Sequence, residues 1–217
     1  MVLNEDLLVI TPISPLDAKE HMNLYREGRN KIDDFLELGE SFHLYNFKYH
    51  AKLLLDFYKS PSDYPAFSVK YGKELVGMFI FSPGKYIGGV QIIYYIRPKF
   101  QGKGIASFAL KHLSNIAFYN LKYLHIELHI DVDNTASKKV AEKAGFISNF
   151  DYEGELMGTK GSGNFEIYVL INHLSKEYMR QIPREDWMLN EAWEPGGNFR
   201  IRRNLHHNRL RRRLSRT

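Results

Sequence analysis

The sequence contains no cysteine. That excludes a disulfide framework, a thiol nucleophile and any cysteine-ligated metal centre, and it favours a reducing compartment. No uncharged stretch approaches the ~18 residues that a membrane-spanning helix needs. The opening residues carry Glu5 and Asp6 where a secretory leader needs basic ones, and the apolar run behind them is short. A cytoplasmic protein without membrane contact is therefore expected. There is no Gly-Lys-Ser/Thr phosphate loop. The position three residues after Gly104 is Ser107, where a dinucleotide fingerprint has Gly or Ala. Internal repeats are also missing.

What is present suits one well-filled domain with residues to spare. The chain has 217 residues, 44% of them hydrophobic and 14% aromatic. The net charge of +5 is unevenly placed. Residues 200–217 hold eight Arg and no acid, so the rest of the chain is net −3. After His173 the alternation of elements degrades into an arm carrying Glu185, Asp186, Trp187, Glu191, Trp193 and Glu194. We read 1–173 as the folded domain and 174–217 as a C-terminal arm ending in the basic tail. Arg pairs bidentately with phosphate, which suits contact with RNA or the ribosome. The same tail could instead fold onto the acidic arm or onto a sister subunit; both readings stand, as do a monomer and a homodimer.

The chain is organised around Gly88 to Phe146. A strand (Val90 to Ile96) runs into a turn, Gln101-Gly102-Lys103-Gly104, and a helix starts near Ile105. Ile105, Ala109, Leu113, Ile116 and Ala117 fall on one stripe at helical spacing. A strand from Leu124 to Val132 follows, then a helix from Asn134 to Ala144 that stops at Gly145-Phe146. Upstream, Leu7 to Ile13 reads as a strand, and Ser14-Pro15 as the cap and first residue of a helix reaching Leu38. Asn46 to Tyr58 reads as a second helix. Ala66–Tyr71 and Glu74–Phe81 read as a hairpin around Gly72-Lys73. Downstream, Ile147–Glu153 and Phe165–Asn172 are two more strands, with Gly158, Gly161 and Gly163 in the loop between.

A strand–glycine turn–helix unit leaves the first helical N–H groups without partners. Glycine lets that backbone approach a ligand, and the helix dipole favours an anion there, most often phosphate. An ordinary connecting turn would look the same locally. The Leu124–Val132 strand carries a second signal. Ile126, Leu128, Ile130 and Val132 point one way, and His125, Glu127, His129, Asp131 and Asp133 the other. A central strand of an α/β sheet should be apolar on both faces, so the polar face suggests a wet cleft; an exposed edge strand is the alternative. His125 and His129 lie ~13 Å apart along a strand and are no metal pair. Asn134 and Gly145 also have the identities of a helix N-cap and of its left-handed C-terminal residue.

Gln101-x-x-Gly104-x-Ala106 after a strand resembles the acyl-coenzyme A pyrophosphate loop of the GNAT acetyltransferases. Asn134-x-x-Ser137 followed by Glu142-Lys143-Ala144-Gly145-Phe146 resembles the second half of that family's core, closest to the branch of ribosomal-protein N-terminal acetyltransferases. The resemblance implies an α/β GNAT fold: a mixed sheet of about seven strands flanked by about four helices, here with a C-terminal extension. It implies an enzyme that moves acetyl from acetyl-CoA, as cosubstrate and without a metal, to a primary amine by direct attack. The acceptor would be a protein N-terminus, a lysine or a small amine. Backbone N–H groups of Gln101, Gly102, Lys103, Gly104, Ile105 and Ala106 would hold the pyrophosphate. Pantetheine would lie along Tyr94 to Arg97, with the N–H near Ile96 polarising the thioester carbonyl, and Asn134 would bond the pantetheine. Two departures follow. Ala141 stands where many members carry the Tyr that protonates the thiolate; the ribosomal-protein branch also lacks that Tyr and has Ser three residues after the Asn, so the resemblance implies Ser137 for the contact to sulfur. Gln91 stands where many carry a Glu, which leaves Glu127, His129 or Asp131 as the base. A GNAT-fold binding module that has lost catalysis, and an acetyltransferase acting on charged tRNA, are the competing readings.

Overall fold

The computed structural model describes residues 3–36, 55, 65–86, 88–152 and 165–172. Side chains alternating across extended segments build one seven-stranded sheet. Its strands are β1 (Leu8–Pro12), β2 (Ala66–Tyr71), β3 (Glu74–Pro83), β4 (Gly89–Ile96), β5 (His125–Asp131), β6 (Ile147–Tyr152) and β7 (Phe165–Ile171). The strand order is β1-β2-β3-β4-β5-β7-β6. Every neighbouring pair is antiparallel except β4 and β5, which run parallel. Three α-helices lie among the described residues: α1 (Ala18–Leu36), α2 (Ile105–Asn115) and α3 (Thr135–Ala144). A π-turn, Ile116–Asn120, continues α2.

This is the α/β architecture expected, with strand bounds within about two residues of the sequence reading. One cap differs in detail. Ser14 Oγ accepts from Leu16 N at 3.2 Å, but what it caps is a 3-10 turn, Pro15–Asp17, that leads into α1. The helix expected over Asn46 to Tyr58, Leu55 apart, falls outside the described residues. So do the loop with Gly158, Gly161 and Gly163, the arm 174–217 and its Arg-rich tail.

The core lies on both faces of the sheet. On one, Val90, Ile92 and Ile96 of β4 and Ile126, Leu128 and Ile130 of β5 meet Ile105, Ala109 and Leu113 of α2, Ala117 of the π-turn and Ala141 and Ala144 of α3. The helical stripe read from the sequence is thus the buried one. On the other face, Leu75, Met78 and Ile80 pack against Ile13, Ala18, Leu24 and Tyr25. Each large side chain buried this way contributes about 1.5–3 kcal/mol. Among the described residues no helix is long and apolar enough to cross a membrane.

One joint in the sheet is short. β4 and β5 pair only at Gly89↔His125, Val90↔Ile126 and Gln91↔Glu127. β3–β4 continues to Gly77↔Ile96, and β5–β7 runs the whole length of β5. Beyond Gln91 and Glu127 the parallel strands part, and a wedge opens between them.

Candidate active site

A cavity of about 510 Å³ fills that wedge. Its walls are Ile92–Ile96 of β4, the glycine turn, the first turn of α2, Leu128–Asp131 of β5 and the near side of α3. The glycine turn closes one end. Gly102 and Gly104 have φ of +73° and +86°. A Cβ at Gly102 would meet nothing within 4 Å, and at Gly104 only Leu3 Cδ2 at 3.8 Å. The left-handed backbone, rather than crowding, is what calls for glycine there. Gly104 is the N-cap of α2 and offers no side-chain cap, so the first N–H groups of the helix lack intrahelical acceptors. Gln101 ties the turn to the strand before it: its Nε2 donates to Ile96 O at 2.7 Å. Gln101, Gly102, Gly104, Ile105 and Ala106 all line the cavity. Lys103 does not; its ammonium sits 4.9 Å from the Phe100 ring centroid, where Lys99 also lies at 5.1 Å.

β4 turns part of its backbone toward the wedge. Arg97 N donates to Val76 O at 2.8 Å, across the ladder to β3. In an antiparallel ladder successive N–H groups point to opposite sides, so those of Ile96 and Tyr94 point away from β3, to where β5 has parted. Arg97 itself, expected among the cofactor-binding residues, is turned elsewhere. Its backbone serves β3, and its guanidinium pairs with Glu27 (3.2 Å) and Glu74 (2.9 Å). It is a strut between α1 and the sheet.

The polar face of β5 is not an exposed edge: it is sealed at His125 and Glu127 and opens on the cavity at His129 and Asp131. β5 lies between β4 and β7, and His125, Glu127 and His129 are buried, Glu127 completely. They satisfy one another. His125 Nε2 and His129 Nε2 each lie 2.9 Å from a different Glu127 oxygen. Lys85 N and Tyr86 N donate to the same carboxylate at 2.8 and 3.1 Å. Burial alone would raise the Glu127 pKa. The hydrogen bonds and charges of His125 and His129 outweigh it and hold the carboxyl well below the usual carboxylate range. Glu127 is therefore a poor proton acceptor near neutrality, whatever else it does. An ionised carboxylate only accepts, so both Nε2 atoms donate, and in neutral His129 the lone pair is on Nδ1. His129 lines the cavity and stacks on Phe165 with centroids 5.4 Å apart. Asp131, the third candidate base, accepts from Asp133 N at 2.8 Å. Behind the cluster, Lys85 is buried; desolvation, partly offset by Glu127, brings its pKa down to about 8.

The cluster predicts a stability effect. Glu127→Gln is expected to cost about 3–5 kcal/mol at pH 7, because it takes one charge out of a buried hydrogen-bonded set. A carboxyl whose native pKa is depressed stabilises the fold above its unfolded pKa of ~4.3 and loses that contribution as pH falls through the native value. The gap between parent and variant should thus be full at pH 7 and narrow below about pH 4. Urea melts at both pH values measure it; equal midpoints at pH 7 would show that the cluster is not holding β5 in place.

α3 begins and ends as its sequence implies. Asn134 Oδ1 accepts from Ser137 N at 3.0 Å, which leaves the Asn134 amide nitrogen for other work. Gly145, at φ +94°, closes the helix, and Phe146 N donates to Ala141 O. Asn134 and Ser137 both line the cavity. Ala141 is fully buried in the core. Two cavity lysines were given no role by the sequence reading. Lys139 and Lys143 line the cavity one turn apart on α3, and their spacing of four on a helix flanking a glycine turn was an available signal. Tyr94 was read only as part of the Tyr94–Arg97 edge beside pantetheine; its side chain gave no signal of its own, because a ring on an apolar strand reads as core.

The chain is similar to known proteins in sequence and in fold. The family profile described as "Acetyltransferase (GNAT) domain" matches residues 8–147. A probable N-acetyltransferase of Bacillus subtilis, YjcK, is 26% identical over 158 residues, covering 67% of this chain and 83% of its own. Among solved structures, the ribosomal-protein-S5-alanine acetyltransferase of Vibrio fischeri superposes with a TM-score of 0.70 at 17% identity, over 80% of this chain and 97% of that one. The spermidine N-acetyltransferase of Vibrio cholerae, solved with CoA and spermine, gives 0.62 at 21% identity, over 76% and 96%.

Proposed function

This chain belongs to the GNAT acetyltransferase family, and from that premise we propose that it binds acetyl-CoA in the β4–β5 wedge and transfers the acetyl group to a primary amine. The observation that carries the reading is the three-pair β4–β5 ladder. It leaves the Tyr94–Ile96 edge of β4 facing a cavity that ends at the glycine turn. An extended pantetheine arm fits that edge as an added strand would. The N–H groups at Gln101–Ala106 and the α2 dipole then meet the pyrophosphate, and Lys139 and Lys143 supply positive charge beside it. The Asn134 amide nitrogen donates to the pantetheine, and the Ile96 N–H polarises the thioester carbonyl.

The reaction needs a proton acceptor for the attacking amine. His129 takes that role, directly or through water, with Nδ1 as its basic nitrogen. Glu127 is reassigned from base to positioning residue, since it fixes the His129 tautomer. Ser137, which lines the same cavity, bonds the sulfur as the thioester breaks. The acceptors named for the two structural relatives are an alanine of ribosomal protein S5 and spermidine; the acceptor here is likewise an amine.

The test is calorimetric titration with acetyl-CoA, followed by mass spectrometry of acetylated products after incubation with a cell extract. Binding with no acetylated product would favour a binding module over an enzyme. Failure to bind acetyl-CoA would end the proposal. Ser137→Ala is expected to lower kcat roughly 10–100-fold, the worth of a hydrogen bond to a developing charge, while acetyl-CoA affinity changes little. An unchanged kcat, with chemistry shown to be rate-limiting, would remove Ser137 from the mechanism.

A further inference from the structure

Two hydroxyls in the wedge wall, those of Tyr94 and Tyr95, are accounted for by neither the sequence motifs nor the proposed roles; Tyr95 packs on the far face of the sheet with Ile13 and Leu24, whereas Tyr94 packs on the face that carries α3. Tyr94 lies on β4, and its hydroxyl oxygen is buried with no hydrogen bond of acceptable geometry. Leaving such a group unsatisfied is costly. The ring is held in place: it stacks on Phe79 of β3, with centroids 5.2 Å apart and planes 15° from parallel. Tyr94 and Ser137 line the same cavity from opposite elements. Burial raises the phenol's pKa, and Ser137 is near enough to offset part of that rise. The hydroxyl thus stays protonated across the physiological range, beside the first turn of α3. The positive end of that helix favours a developing anion there.

We propose that Tyr94 is the proton donor to the departing coenzyme A sulfur, acting with Ser137 and filling from β4 the position that Ala141 cannot fill from α3. The inference rests on the acetyl-CoA reading above. In the step, the amine nitrogen attacks the thioester carbonyl carbon and a C–N bond forms. The C–S bond breaks and its electron pair goes to sulfur. One proton leaves the amine nitrogen for His129, and one reaches sulfur from the Tyr94 hydroxyl, directly or through Ser137 Oγ. Tyr94 recovers its proton from solvent, His129 releases one to solvent, and the sum is amide plus coenzyme A thiol.

The test is Tyr94→Phe in the full chain. Phe keeps the ring and its stacking on Phe79, so the fold is retained. Because the buried hydroxyl makes no well-formed hydrogen bond, only a weak one to Ser137 that offsets part of its burial, the melting temperature should hold or rise slightly. A purely structural hydroxyl would do the opposite and lower it. The deciding measurement uses coenzyme A itself as probe and needs no acceptor: the bound thiol is titrated with pH through its thiolate absorbance. A hydroxyl that donates to sulfur lowers the pKa of the bound thiol, so the variant's thiol should titrate about one unit higher, a tenfold change in thiolate at a given pH. With acetyl-CoA and a library of short peptides plus spermidine as acceptors, kcat should fall about tenfold or more while KM for acetyl-CoA holds. Combining Tyr94→Phe with Ser137→Ala should do little more damage than the worse single change, as for groups in one chain. Identical bound-thiol titrations in parent and variant overturn the proposal. A parent that does not bind coenzyme A overturns the acetyl-CoA reading first, and this inference falls with it.

Discussion

Gly89→Ala is expected to lower the melting temperature by about 10 °C or more. Gly89 opens β4 opposite His125. A Cβ there would lie 2.1 Å from His125 Nε2 and 2.8 Å from Glu127 Oε1. Real atoms do not approach so closely, so something must move. The ring end of a side chain is ordinarily able to swing away, but His125 is fully buried and held by Glu127 at 2.9 Å. Moving it breaks a buried charge-assisted bond worth about 3–5 kcal/mol, on top of the ~1–3 kcal/mol typical of overpacking. A domain of this size loses about 2–4 °C per kcal/mol. Gly72→Ala is the control. Its backbone is left-handed, at φ +61°, as that of Gly89 is not, but a Cβ there meets nothing within 4 Å, so only about 1–2 kcal/mol of backbone strain is at stake. Thermal melts of the two variants settle it: equal losses would mean that the space over Gly89 is not needed by the histidine.

Gly104→Glu is expected to weaken acetyl-CoA binding at least ~100-fold, with a far smaller effect on stability. The substitution sets a carboxylate at the N-cap of α2, where the proposed pyrophosphate would sit. Two like charges about 4 Å apart repel by about 4 kcal/mol at the effective dielectric of a protein surface, more than the ~2.7 kcal/mol that a hundredfold change requires. The left-handed backbone at φ +86° adds strain whichever side chain is placed there. Gly104→Ala separates strain from charge, because it carries the first without the second. Calorimetric titration of both variants with acetyl-CoA is the measurement. If Gly104→Glu binds as the parent does, the phosphate assignment of the turn is wrong.

The fold was legible because its local signals agree. The hairpin around Gly72, the stripe from Ile105 to Ala117 and the Asn134 and Gly145 ends of α3 each state their conformation in a few residues. The glycine turn was legible for the same reason, since positive φ and uncapped helical N–H groups are written in Gly102 and Gly104. What was not legible depends on how strands meet. Nothing near Glu127 says that Lys85 N, Tyr86 N and two histidines converge on it, so its face looked wet rather than sealed. Nor does anything near Gly84 and Gly89 say that a Cβ at either would strike Glu127 Oε1 at 2.8 Å; they are small because of a side chain some forty residues away. Arg97 seemed a cofactor residue until the partners on α1 and β3 were known. Tyr94 was hidden because an aromatic ring on a buried strand has an ordinary explanation.

The short joint between β4 and β5 also makes a statement about motion. Three residue pairs join β1–β4 to the β5–β7–β6 half, whereas the joints on either side of that seam are long. Resistance to opening is uneven in any protein, and units with few cross-links open more often than the whole unfolds. Amide protons of Tyr94 and Ile96, which the ladder to β3 does not use, should exchange with deuterium far faster than that of Arg97, which β3 protects. A ligand lying along β4 would act as a stitch across the seam and slow exchange on both sides of it. The empty protein would then behave as two leaves sharing a spine, and the loaded one as a single board.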